Sequence, residues 1–393
     1  MKVYLDHAAT TCVDNDVLKE MLPYFTEQFG NANSQHAYGR ECAIAIDKAR
    51  NQIATAINAK PNEIYFTSCG TEADNWAIKG IASALRDKGN HIITSKIEHA
   101  AVLESCKYLQ KLGYKVDYLS VDKNGVVDLK QLEELIDDKT ILVTVMAANN
   151  EIGTIEPIKE IAEICHRHKV LFHTDAVQAT GAVKLDVKDL GVDMMSMSGH
   201  KFYGPKGIGA LYIKSGVKID NLLSGGHQER AKRGGTSNVP AIVGMGKALE
   251  IATTDMEAKE KKIADMRDYF VAKVMEKVPY VVYNGSKTNR LPNNASLSFE
   301  FLEGESILFS LDLEGIACSS GSACSSGSLE PSATLLAIGK TPAEAHGTIR
   351  FTFGRDNNYE QIDYTVEKLV EIIERLRNMS PLFYEFKKES KNV

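Results

Sequence analysis

Between about residues 60 and 215, apolar stretches of strand length alternate with longer stretches whose apolar positions recur at helical spacing. The pattern predicts strands at 63–68, 91–97, 115–121, 140–148 and 170–176, and two more at 194–198 and 207–213. Helices are predicted between them at 71–87, 100–112, 129–136 and 158–168, the first starting on the capping sequence Thr71-Glu72-Ala73-Asp74. Such alternation predicts βαβ crossovers and a mostly parallel sheet covered by helices on both faces, an α/β fold. Further along, the grammar changes. Thr254 and Asp255 precede a charged helix that carries Ile263, Met266, Phe270, Val274 and Val278 on one face. Strands follow at 295–301 and 348–353, with a helix at 306–313 between them. A last helix shows Ile362, Val366, Leu369, Val370, Ile373 and Leu376 on one side. This is an α+β arrangement, which places a boundary near residue 256. The tail after Pro381, with Lys387, Lys388 and Lys391, reads as a solvated end.

At 393 residues the chain exceeds what one hydrophobic core usually serves, so two domains are expected. A net charge of −6 argues against nucleic acid or an anionic membrane as partner. No apolar run approaches the roughly 20 residues that span a bilayer, and the first residues show no apolar export segment. The expectation is a soluble, cytoplasmic protein. Seven cysteines fall at 12, 42, 69, 106, 165, 318 and 324, an odd number without a CxxC pair, so neither a disulfide framework nor a zinc site is indicated.

The most specific local signal is Ser198-Gly199-His200-Lys201 at the end of a predicted strand, followed by Phe202-Tyr203-Gly204-Pro205-Lys206-Gly207. A lysine in a glycine-turned loop, with hydroxyl and imidazole donors beside it, suits the Schiff base that holds pyridoxal phosphate. Lys206 reads as solvated. Asp175 closes another apolar strand, where a carboxylate is costly to bury without a cationic partner such as a protonated pyridine nitrogen. Gln178 could then reach the ring's phenolic oxygen. Phe66-Thr67-Ser68-Cys69-Gly70-Thr71-Glu72 reads as strand, small-residue turn and helix start, whose N–H groups and Thr71 hydroxyl suit a phosphate. Ser198 and His200 could add hydrogen bonds to it.

These segments occur in order with Tyr4-Leu5-Asp6-His7-Ala8-Ala9-Thr10-Thr11, Glu98-His99, Asn149-Asn150-Glu151-Ile152-Gly153 and Arg233-Gly234-Gly235-Thr236. From Tyr4 to Arg355 the chain resembles the NifS/IscS-type cysteine desulfurases, class V members of the fold-type I pyridoxal phosphate enzymes. The resemblance implies a large cofactor-binding domain over 14–256, with a mostly parallel seven-stranded sheet flanked by helices. It implies a small α+β domain built from 1–13 and 257–393, carrying a cysteine loop at about 318–331. His99 would stack on the cofactor ring and take part in proton transfers, and Asn150 would contact ring and substrate. Asp175 and Gln178 would hold the pyridine nitrogen and the phenolic oxygen. Gly70, Thr71, Ser198 and His200 would bind the phosphate, and Lys201 would attach the cofactor. Thr236 resembles the residue that reaches the phosphate of a neighbouring subunit, which implies a homodimer.

Positions 319–328 contain six Ser, two Gly, one Ala and one Cys, with nothing able to anchor a core, so this segment is expected to be mobile. Its Cys324 matches the family's persulfide-forming position, whereas Cys318 reads as a small packed residue. Cys324 as a transient ligand of a nascent iron–sulfur cluster stays open. The pattern around Arg350, alternating with apolar residues in Thr348-Ile349-Arg350-Phe351-Thr352-Phe353, alone suggests an edge-strand arginine facing solvent. The resemblance instead gives Arg350 the substrate carboxylate and leaves Arg355 structural. Three places depart from the family pattern: Gly30-Asn31-Ala32 lacks a proline after Gly-Asn, Asp6-His7 replaces an Asn-containing pair, and Cys69-Gly70 stands where Gly-Ala is usual.

The implied activity converts L-cysteine to L-alanine, leaving the sulfur as a Cys324 persulfide for an iron–sulfur scaffold or a tRNA-thiolation protein. A selenocysteine lyase or another class V pyridoxal phosphate enzyme would use the same residues. A catalytically inactive scaffold would keep the fold alone. No direct nucleic-acid or membrane partner is expected.

Overall fold

The computed structural model describes residues 1–320 and 330–390. Thirteen strands occur among them. In chain order they are β1 (Val3–Tyr4), β2 (Ile64–Thr67), β3 (His91–Ser95), β4 (Lys115–Leu119), β5 (Thr140–Thr144), β6 (Leu171–Asp175) and β7 (Met194–Ser198). There follow β8 (Gly209–Ile213), β9 (Val281–Tyr283), β10 (Asn294–Phe299), β11 (Ile316–Ala317), β12 (Ser319–Ser320) and β13 (Thr348–Thr352).

Seven strands form the large sheet in the order β2-β8-β7-β6-β5-β3-β4. All pairs are parallel except those of β8, which runs antiparallel to both neighbours. Both faces are covered, and the strands show it residue by residue. Ile93, Val143, Phe172, Met195 and Tyr212 pack with the helices Ala37–Ala56, Ile158–Arg167 and Val239–Thr253. Their neighbours Ile92, Leu142, Met194 and Leu211 pack on the other side with the helices Gly70–Ala84 and Ala100–Lys111. Strands buried on both faces cannot alternate polar and apolar, which is why they read as continuous apolar runs.

A second core lies beneath a four-stranded antiparallel sheet of order β12-β13-β10-β9. Phe270 from the helix Met256–Lys277 meets Phe351 of β13 at 4.8 Å, and Ile362, Val366 and Leu369 of the helix Tyr359–Met379 close the same cluster. The N-terminus joins this core. Val3 and Leu5 are buried in it, and β1 pairs in parallel with β11. Among the described residues no helix is long and apolar enough to cross a membrane.

Two local expectations are corrected. Thr71 is not the cap of its helix: the helix starts at Gly70, and Glu72 folds back so that its carboxylate accepts from the Ser68 amide and hydroxyl. The stretch after Pro381 is not a solvated tail but a helix, Pro381–Ser390. Phe383 is buried there and Phe386 stacks on Phe301 at 4.8 Å, while the Lys387 ammonium lies over the Phe383 ring, so charge and burial coexist on one turn. The helix Ala37–Ala56 gave no clear apolar signal because much of its buried face is small, with Cys42, Ala45, Ala49 and Ala54 among its core residues.

Candidate active site

β6 and β7 are adjacent parallel strands, so their C-terminal ends lie side by side: Asp175 closes one and Ser198 closes the other. Beyond Ser198 the chain tightens into a 3₁₀ turn, Gly199–Lys201, which carries the lysine back over the sheet end. There Lys201 Nζ donates to the carbonyls of Ala8 at 2.6 Å and Ala9 at 2.9 Å. The start of the helix Gly70–Ala84 closes the third side. A side chain at position 70 would put its Cβ 2.7 Å from Val177 Cγ2, so glycine lets the turn approach Val177 closely without displacing it.

These elements enclose a cavity of about 370 Å³. Its walls include Gly70, Thr71, His99, Asn150 and Asp175, together with Gln178, Ser198, His200, Lys201 and Arg350. Ten residues singled out in the sequence thus face one space, from elements spread over nearly 300 positions. Thr236 is exposed and does not line it, and Cys324 lies outside the described residues. A larger cleft of about 1280 Å³ between the helices Ala37–Ala56 and Met256–Lys277 contains none of these groups.

The cavity's electrostatics follow from burial. Asp175 is 5% exposed, and desolvation raises its carboxyl, opposed by the neighbouring His99, by the Val177 amide, which donates to Oδ1 at 2.9 Å, and by the Lys201 charge. His200 is held neutral: burial, then the Lys201 charge, push its imidazole down to about 4, and its Nδ1 lies 3.1 Å from Thr10 Oγ1. His99 caps the helix Ala100–Lys111, its Nδ1 accepting from the Ala101 amide at 3.1 Å. That bond fixes the tautomer, so the neutral ring carries its proton on Nε2. Glu98, buried beside it, takes the Ser95 hydroxyl and the Met146 amide, and desolvation lifts its carboxyl to about 8.

Arg350 enters from the opposite side. It does not stand on an edge: β13 lies between β12 and β10, and the residue is 1% exposed. Its Nη2 donates to Asp6 Oδ1 at 2.9 Å and its Nη1 to the Asn150 carbonyl at 3.0 Å, while buried Nε has no hydrogen-bond partner. A guanidinium held on the cavity wall by Asp6 and the Asn150 carbonyl suits a carboxylate.

The donor set also fits pyridoxal phosphate. Asp175 offers an acid for the ring nitrogen, and Lys201 offers an amine. For a dianion there is a helix start whose cap, Cys69, makes no side-chain capping bond, together with the Ser198 hydroxyl and a neutral His200.

Three participants escaped sequence reasoning. Asp6 was noted only as a departure, yet it is the carboxylate that holds Arg350. Asp74 also lines the cavity and is 1% exposed. Its signal was available, a lone acid among Ala73, Ala77, Ile78 and Ile81 on the buried face of its helix. Glu151 accepts from the Ser332 hydroxyl at 2.5 Å, and desolvation lifts its carboxyl to about 7. Cys318 does behave as the packed residue expected: it sits against the second core, and desolvation pushes its thiol up. Lys206 is exposed, and Arg355 pairs with Asp14 and lies 4.0 Å from the centre of the Tyr203 ring.

A model of the class-V aminotransferases matches residues 3–365. The chain is 54% identical over 380 residues to a protein of Methanosarcina thermophila named cysteine desulfurase IscS, covering 97% of this chain and 94% of that one. A Clostridium botulinum protein of the same name is 52% identical over 389 residues, covering 98% of each. Among solved structures, one described as a NifS-like protein superposes with a TM-score of 0.91 at 40% identity, covering 96% of this chain and 100% of that chain.

Proposed function

This chain belongs to the class-V aminotransferase family as an IscS-type cysteine desulfurase dependent on pyridoxal phosphate, and we propose how its cavity divides that work. The observation that carries the proposal is the convergence of Lys201, Asp175 and Arg350 on one cavity from three separate elements. Bound there, pyridoxal phosphate supplies a sink for the electron pair left when a bond to the substrate α-carbon breaks.

Asp175 would hold the ring nitrogen protonated, and Gln178, whose Nε2 donates to the Ala8 carbonyl at 3.0 Å, would lie by the phenolic oxygen. Gly70, Thr71, Ser198 and His200 would hold the phosphate. Lys201 would attach the cofactor and, with its amine free, would move the α-proton. His99 would stack on the ring and take part in proton transfers from Nε2, since its Nδ1 is taken by the Ala101 amide. Arg350 would take the substrate carboxylate, with Asn150 alongside.

The sulfur step falls to Cys324. A free thiol is only a few per cent thiolate at pH 7, so a base, the substrate amine or Lys201, must take its proton. The thiolate attacks the cysteine sulfur. An S–S bond forms as the Cβ–S bond breaks, the electron pair stays with the carbon skeleton and is protonated to alanine, and the sulfur remains as a Cys324 persulfide. We assign the same protein a homodimeric state in which Thr236 reaches the partner's phosphate. The exposed apolar side chains Phe25, Phe29, Tyr38 and Ile44 support a covered face. Delivery to an iron–sulfur scaffold or a tRNA-thiolation protein in the cytoplasm completes the reading.

Labelled cysteine tests it. Cys324→Ala should keep a near-normal visible cofactor band and carry no labelled persulfide; loading at the wild-type rate would overturn the assignment of the nucleophile.

A further inference from the structure

Beneath Asp175 lies a second carboxyl group that the mechanism above does not use. Asp74, on the helix Gly70–Ala84, is 1% exposed, and its Oδ1 has no hydrogen-bond partner. Ligand atoms of Asp74, His99 and Asp175 all lie within 4.8 Å of one another. At that separation two buried carboxylates repel strongly, and one of them keeps a proton. The two are not equivalent. Asp175 receives the Val177 amide and feels His99 and Lys201, whereas Asp74 meets the Ser196 hydroxyl with Asp175, Glu98 and Cys69 as its charged or ionisable neighbours. His173 Nε2 is 3.8 Å from Asp74 Oδ1, too far to bond, and burial pushes that imidazole down to about 3, so it brings no charge.

We propose, on the reading of Asp175 as the cofactor's acid, that Asp74 is a positioning residue: a neutral carboxylic acid that leaves Asp175 the charged member of the pair. With Oδ1 unpartnered, the acid proton of Asp74 would sit on Oδ2, the oxygen left to meet Ser196; that hydroxyl by itself favours the charged form, and burial outweighs it. Desolvation, then the nearby Asp175 charge, act in the same direction and raise the Asp74 carboxyl well above the usual range. Were Asp74 ionised instead, its charge would drive a proton onto Asp175 and weaken the acid's hold on a pyridinium.

The structure also supplies a reporter. Ser196 Oγ lies 2.9 Å from His173 Nε2, and His173 Nδ1 lies 2.8 Å from Thr144 Oγ1. An acid at position 74 donates to Ser196, which then donates to Nε2, so the ring carries its proton on Nδ1 and donates to Thr144. An anion at position 74 reverses every bond and moves the ring proton to Nε2.

Nitrogen-15 NMR of histidine-labelled holoenzyme, with His173 assigned by difference from His173→Asn, reads this directly. The expected result is the Nδ1–H tautomer at pH 7 to 8, unchanged in Asp74→Asn, whose amide also donates to Ser196. An Nε2–H tautomer in the wild type that switches in Asp74→Asn would overturn the proposal. The second readout is the pH at which the visible cofactor band changes. Asp74→Asn should move it by less than about half a unit, whereas removal of a true charge this close should move it by more than about one. Asp175→Asn separates the two readings. A visible band unaltered by that change would refute Asp175 as the cofactor's acid while leaving the His173 tautomer to judge Asp74.

Discussion

The two sheets meet the cavity with opposite chemistry and are held there by different means. From the seven-stranded side come the acids Asp175, Glu98 and Asp74, buried among small and apolar residues, where desolvation raises each carboxyl. From the four-stranded side comes Arg350, just as buried but tied to Asp6 and to the Asn150 carbonyl. Carboxyls can meet burial by keeping a proton. A guanidinium cannot, so the sequence must bring it an anion and acceptors. On the proposed reading, the first side would govern how the cofactor is poised, and the second how the substrate is gripped.

The largest expected effect tests the first side. Lys201→Ala should lower kcat by about 10³-fold or more and abolish covalent retention of the cofactor, measured by steady-state kinetics and by absorbance after gel filtration. Arg350→Ala should raise KM for cysteine by about 10²-fold, the scale of a lost bidentate ionic pair, with the visible cofactor band intact. If it instead released the cofactor, the division between the sheets would fail. Asp6→Asn keeps the shape but removes the anion that orients Arg350, and KM should rise about five- to tenfold while kcat falls less. An unchanged KM would show that Asn150 alone positions the guanidinium.

The smallest effect concerns a buried acid far from the chemistry. Glu156 accepts from the Val127 amide, has one buried oxygen without a partner, and is raised by desolvation to about 8. Its unfolded counterpart titrates near 4.5, so between those values the folded state binds more protons and stability falls as pH rises; above about 8 the loss is complete. Glu156→Gln should remove that slope, gaining on the order of 4 kcal/mol at pH 8 and about 1 kcal/mol at pH 5 in urea unfolding, with activity unaltered. A variant with the wild-type slope would show that Glu156 is ionised in the fold.

The alternation of apolar runs and amphipathic stretches made the large sheet legible, because strands buried on both faces admit almost no polar residue and those that occur stand out. Asp175 and Ser198 stood out for that reason, at the ends of β6 and β7. The reading of Arg350 from its own strand pointed the wrong way: alternation along β13 says that residues 348, 350 and 352 share a face, not whether that face meets solvent. Burial was decided by Asp6, 344 positions away, and by β10 and β12 on either side. The helix Pro381–Ser390 was missed because its lysines suggest water, whereas Phe301 and Tyr280 from another part of the chain give Phe383 and Phe386 an aromatic surface to pack on.

By itself, then, the order of residues determined the α/β class, the parallel strands, the glycine turns and the types of group able to perform the chemistry, since these depend on local periodicity and on what each side chain can donate or accept. Tertiary structure decided which acid keeps its proton, which nitrogen of His99 bears hydrogen, and which anion steadies Arg350. Those are properties of distance and desolvation, set by segments that approach one another only after the chain has folded.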